Sequence, residues 1–142
     1  MILNLEKTNP AERKTPAWLR LTALLLGIYL LLWLSFEDKD VTRVLLSAVA
    51  VNAWIALRYL VRLPASARKG ILRQSLVGIL AGLAVTPMAL FLMAFKTGVH
   101  GHESPDFTAE QIFAVIRGTP VWAGAGLLLG LGSGLLHIAA SE

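Results

Sequence analysis

The stretch SLVGILAGLAVTPMALFLMAF, residues 75–95, carries no formally charged side chain. As an α-helix it would be about 31 Å long at 1.5 Å per residue, the thickness of a bilayer's hydrocarbon core. Reading outward from it, the chain breaks into four such apolar blocks with nearly all charges between them. Such an order suits a protein whose middle section is solvated by lipid, where each backbone group must be satisfied within a helix. The fold class expected is therefore all-α: four transmembrane helices, plus a short amphipathic surface helix between the third and fourth.

Composition agrees. The chain has 142 residues, is 56% hydrophobic and only 15% charged, too little polar material to cover a water-facing globule of this size. It contains no cysteine, which excludes disulfides, thiolate metal sites and cysteine nucleophiles. The formal charge is +4. The basic residues flank apolar spans, so their expected partner is the anionic headgroup layer of membrane lipids and not nucleic acid.

Residues 1–15 read as a polar, cytoplasmic segment interrupted by Pro10. Thr15-Pro16-Ala17-Trp18 reads as a helix start, with a hydroxyl cap, proline at the first helical position and an aromatic at headgroup depth. The first span is placed at about 16–36, and Ser35 to Asp40 offers no small-x-small cleavage site, so it reads as retained. The second is placed at about 41–63, with Arg43 and Arg58 near its ends able to snorkel outward and Pro64 as its stop. The third is placed at about 70–97, with a bend near Ala84 because Pro87 removes a backbone donor. The fourth is placed at about 119–140 and opens Thr119-Pro120-Val121-Trp122, the same capping pattern as the first. Between them, at about 107–117, Ala109, Ile112, Phe113 and Ile116 share one helical face, with Glu110 and Arg117 on the other. Thr108 and Gln111 have capping-box spacing.

The connection between spans two and three is purely basic, with Arg58, Arg62, Arg68, Lys69 and Arg73, whereas that between spans one and two contains Glu37, Asp38, Lys39 and Asp40. By the positive-inside rule both termini are expected in the cytoplasm. The five basic residues are candidate contacts for lipid headgroups.

Glycine forms the most organised pattern. Gly126, Gly130 and Gly134 lay a smooth strip along one face of the fourth span, and Gly78 and Gly82 a shorter one on the third. Small-xxx-small strips let helix backbones approach closely, within one chain or between subunits. Asn52 is the one side-chain amide in the middle of a span, and Thr86 lies at similar depth; both are candidates for interhelical hydrogen bonds. His100, His102 and His137 are candidate pigment, haem or metal ligands, the first two beside Glu103 and Asp106. Against each stands an ordinary role, a solvated turn for the loop pair and an interfacial hydrogen bond for His137. No cofactor is assigned.

No span carries Asp, Glu or Lys at its middle, which disfavours an ion-coupled carrier. No acid pair, nucleophile–base pair or phosphate loop is visible, so no catalytic residue is assigned and the chain is expected not to be an enzyme. The expectation is an accessory or assembly subunit of a larger membrane complex that acts by helix packing, with respiratory and photosynthetic assemblies as candidate settings. Its partners would be other membrane protein subunits and lipids. The alternatives are a pigment- or haem-contacting subunit, through His137 or His100 and His102, and a small oligomeric channel or carrier with Asn52 and Thr86 lining its path.

Overall fold

The computed structural model describes residues 16–36, 39–62, 70–101 and 106–140. Arg68, Lys69, His102 and Glu103, with the N-terminal segment, lie outside them. Six helices follow in order: α1 (Ala17–Ser35), α2 (Val41–Arg62), α3 (Ile71–Leu83), α4 (Val85–His100), α5 (Ala109–Arg117) and α6 (Thr119–Ala139). No strand occurs among the described residues. In terms of length and hydropathy they form four units able to cross a membrane: α1, α2, α3 with α4, and α5 with α6.

The third unit is interrupted at Ala84, three residues before Pro87. Proline has no amide hydrogen, so the carbonyl of Leu83 loses its usual donor four residues on. The ladder resumes on either side, Ala84 N–H donating to Leu80 and Met88 N–H to Ala84. The fourth unit has a matching interruption at Gly118, two residues before Pro120. There too the ladder carries through, Gly118 N–H reaching Ala114 and Trp122 N–H reaching Gly118. α5 therefore runs on into α6 instead of standing apart from it. Its first turn is closed by a reciprocal capping box between Thr108 and Gln111. Ile112 and Val115 pack inward, while Phe113 and Ile116 are exposed.

Adjacent units are antiparallel, so the bundle has two ends. At the basic end α1 and α3 begin and α2 and α6 finish; at the opposite end α1 and α4 finish and α2 and α5 begin, while the α3–α4 and α5–α6 junctions lie between the two ends. The hydrophobic core fills the half toward the opposite end, where Trp33, Val44, Ala48, Ala89, Leu92, Met93, Phe107 and Val115 cluster. The other half is held differently. α3 and α6 make the most extensive contact in the protein, through glycines on both sides. A Cβ at Gly78 would collide with the Gly126 carbonyl, one at Gly82 with the Trp122 carbonyl, one at Gly130 with the Gln74 carbonyl. At Gly134 it would lie 3.0 Å from the Ile71 Cα. Backbone meets backbone along the whole seam, which only a missing side chain permits.

Gly124 and Gly132 lie on other faces of α6, with nothing within 4 Å of an added Cβ. Gly126→Ala is accordingly expected to destabilise the detergent-solubilised protein by about 1–3 kcal/mol or more, since the seam can only widen. Gly124→Ala and Gly132→Ala are expected to be neutral or stabilising by up to about 1 kcal/mol, as alanine favours a helix. Denaturant titration of the three variants followed by circular dichroism checks the contrast.

Candidate functional site

Three features of the bundle are candidates for function: a polar bridge at its middle, a lateral furrow and a divided charge distribution.

The bridge joins the two helix interruptions. Thr119 Oγ1 donates to the Ile116 carbonyl at 2.6 Å, which uses its single hydrogen. The 2.8 Å contact between Thr119 and Thr86 is therefore donated by Thr86. One turn away, Asn52 Nδ2 donates to the Ala48 carbonyl at 2.8 Å and to the Ala84 carbonyl at 3.3 Å. The two Thr-Pro steps thus sit side by side, with α2 clamped to the break in the third unit. The N-cap of α6 is Gly118, and Thr119 lies inside the helix with its hydroxyl turned to α4. That differs from the capping role its sequence suggests, because a hydroxyl next to a proline can satisfy a preceding carbonyl as well as a following amide.

The furrow is in the half toward the basic end. α2 and α6 both pack on α3, and between them runs a cavity of about 280 Å³ with α3 as its floor. Its walls extend from Val49 to Leu60 on α2 and from Trp122 to Ser133 on α6, and its floor from Gln74 to Val85. Eleven residues of rise make it about 16 Å long. Alanine, glycine, valine and leucine supply most of the lining; Asn52 lies toward one end, Gln74 and Ser133 at the other. Of the glycine strips, Gly78, Gly82, Gly126 and Gly130 also border this furrow.

Charge is divided between the ends. Among the described residues the basic end carries Arg20, Arg58, Arg62, Arg73 and His137 with no carboxylate; Asp40, Asp106 and Glu110 all belong to the opposite half. Arg58 lies over the Trp54 ring, 5.2 Å from its centroid, and Arg73 donates to the Tyr59 hydroxyl at 3.2 Å, linking α3 to α2. His137 Nδ1 donates to the Ser133 carbonyl at 3.2 Å, leaving Nε2 as the ring nitrogen for any further contact. At the opposite end Lys96 is 1% exposed, its ammonium 4.4 Å from the centroid of the buried Trp33 ring, and Lys39 pairs with Asp106 at 3.7 Å. The described residues contain no group of three or more His, Asp or Glu side chains able to hold a metal. The side chain of His100 and all of His102 lie outside the described residues, so the loop histidines stay an expectation of the sequence.

Two residues were not legible beforehand. Lys96 reads in sequence as the charge that ends a span, yet burial against Trp33 makes it part of the core; the aromatic at the end of the first apolar block was the available clue. Arg117 reads as the solvated face of a separate helix. In the structure it leaves the backbone two residues from Thr119, about 3 Å of rise, and Thr119 is bonded to Thr86, midway along the unit Ile71–Val99. It shares an exposed face with Glu110 and Ala114, and no carboxylate among the described residues pairs with it.

Comparison with protein-family models, characterised proteins and solved structures gave no match.

The bridge makes a measurable prediction. Asn52→Leu and Thr86→Val are each expected to cost about 0.6–1.7 kcal/mol, the range of interhelical hydrogen bonds in membrane proteins. The costs of Thr86→Val and Thr119→Val are expected to be strongly non-additive, since either one alone removes the shared bond. A double-mutant cycle on unfolding midpoints reads that coupling; additive costs would mean that the two hydroxyls do not interact.

Proposed function

We propose that this chain is a multi-pass, non-catalytic subunit of a larger membrane complex, and that a neighbouring subunit docks on the face of α5 formed by Glu110, Ala114 and Arg117. The observation that carries the reading is the level of Arg117. If the four apolar units of spanning length cross a bilayer, the middle of the bundle falls at its middle, and the Thr86–Thr119 bridge holds the end of α5 close to that level. An exposed arginine there costs about 2.5–3.5 kcal/mol on insertion scales, and such residues face a partner or a water-filled cavity, not bare lipid. Its side chain tilts toward the start of α5 and so toward the nearer interface, which relieves part of that cost. A carboxylate on a partner helix would relieve the rest, and the small Ala114 on the same face lets such a helix come close.

In this reading α5 descends from the interface at Glu110 into the bilayer at Arg117. The basic end faces the cytoplasm by the positive-inside rule, with Arg58, Arg62 and Arg73 at the lipid headgroups and both termini on that side. Helix packing is the activity, and the α3–α6 seam supplies a rigid body on which to do it.

The test is extraction of the tagged protein from its native membrane in mild detergent, followed by separation by size and mass spectrometry. The wild type is expected to co-migrate with other membrane proteins at fixed stoichiometry. Arg117→Leu is expected to release it as a folded, small species, with Arg117→Lys intermediate because it keeps the charge. Migration of the wild type as a small species, or a complex indifferent to Arg117→Leu, would overturn the reading.

A further inference from the structure

Arg117 does not line the furrow between α2 and α6, and three observations bear on what would fit there. The first is shape. A volume of about 280 Å³ drawn out over about 16 Å is a slot for one hydrocarbon chain. A helix, about 10–12 Å across with its side chains, does not enter it. Much of the floor is backbone and small side chains, Gly78, Ala81 and Gly82, two of them glycines that the α3–α6 seam requires, so the slot runs directly alongside that close contact.

The second is polarity along the length. The walls are apolar through most of the slot, and the polar groups gather at the basic end, where Gln74 is buried in the floor and Ser133 sits on the wall. His137, one turn past Ser133 on the same face of α6, stands beyond the slot with its Nε2 directed away from the bond to Ser133. A molecule lying in the slot with its chain toward Asn52 would bring its head out at this point. The third is charge. The described residues at this end are arginines and a histidine, without a carboxylate, so a negatively charged head is favoured there by about 1 kcal/mol for each nearby arginine.

We propose that the furrow binds one acyl chain of an anionic phospholipid, with the phosphodiester head at the basic end beside His137, Gln74 and the arginines of α2 and α3. The lipid then belongs to the fold: it fills the gap that α2 and α6 leave over α3 and ties both walls to the floor.

The experiment uses the whole chain in nanodiscs of phosphatidylglycerol and phosphatidylcholine in equal parts. Each preparation carries a trace of one of the two lipids with a photoactivatable group at mid-chain, and the adducts are mapped by mass spectrometry. The expected result is at most one adduct per chain, in the peptides bearing residues 49–60 and 122–133. It forms at least roughly fivefold more with the phosphatidylglycerol probe, the factor that one arginine near an anionic head supplies. Ala53→Phe and Ala125→Phe, on opposite walls, where both alanines line the slot and are exposed, fill it without touching the seam. Each is expected to abolish that adduct while leaving the melting temperature unchanged or raised. Labels spread over the exposed face of α1 and indifferent to both substitutions would overturn the proposal, as would equal labelling by the phosphatidylcholine probe. A cross-link between two copies of the chain through the furrow would overturn it in favour of a homo-oligomer contact.

Discussion

The contact on which the rest of the molecule depends is the meeting of the α3 and α6 backbones. In lipid there is no hydrophobic gain from bringing two apolar helices together, because the tails are as apolar as leucine; what remains is van der Waals packing and polar contact. Both grow steeply as the helices close. Gly78 and Gly82 on one side, and Gly126, Gly130 and Gly134 on the other, remove every side chain that would hold them apart. The seam then fixes the level of α6 against α3, and through it the level of Thr119, Arg117 and the whole of α5. Gly78 and Gly82 of the seam also border the furrow between α2 and α6, and with Val77 and Ala81 they give it a shallow, apolar floor.

The two Thr-Pro steps divide the third and fourth units into halves with different tasks. Below the breaks, toward the basic end, α3 belongs to α6 and the interior is a backbone seam. Above them, α4 belongs to α2 and the interior is a conventional cluster around Trp33, Val44 and Leu92, with Val115 of α5 and Phe107 closing it. The change of neighbour happens where proline has already loosened the ladder, and Asn52 and Thr86 supply the hydrogen bonds that make the change tolerable. Charge follows the same division: arginines at the seam end, and at the other a mixed layer in which Lys96 is buried against Trp33.

Much of this was legible in the residues themselves. The charge-free block at 75–95, the proline at 87 and the glycine spacing state their consequences through helix geometry alone. What the sequence left open is whatever depends on two distant stretches meeting. A glycine strip looks the same whether its partner is in the chain or in another subunit, since the packing physics is identical; Gly126 opposite Gly78 is information only the fold contains. Thr119 before Pro120 fits a helix cap equally well as a bridge. The surface helix placed at about 107–117 and the span at about 119–140 read as separate elements, yet the backbone of Gly118 between them stays helical, at φ −72° and ψ −10°, and that continuity is what brings Arg117 down to the level of Thr86.

Because the chain has no cysteine of its own, the central claim of an intrachain seam can be put to one direct measurement. A Cβ built on Gly134 lies 3.4 Å from that of Ile71, near the usual span of a disulfide. Ile71→Cys combined with Gly134→Cys, oxidised in native membranes, is predicted to close an intramolecular bond that speeds the monomer's migration on non-reducing gels. A disulfide-linked dimer in its place, or two thiols that stay free in folded protein, would contradict the seam and everything built on it.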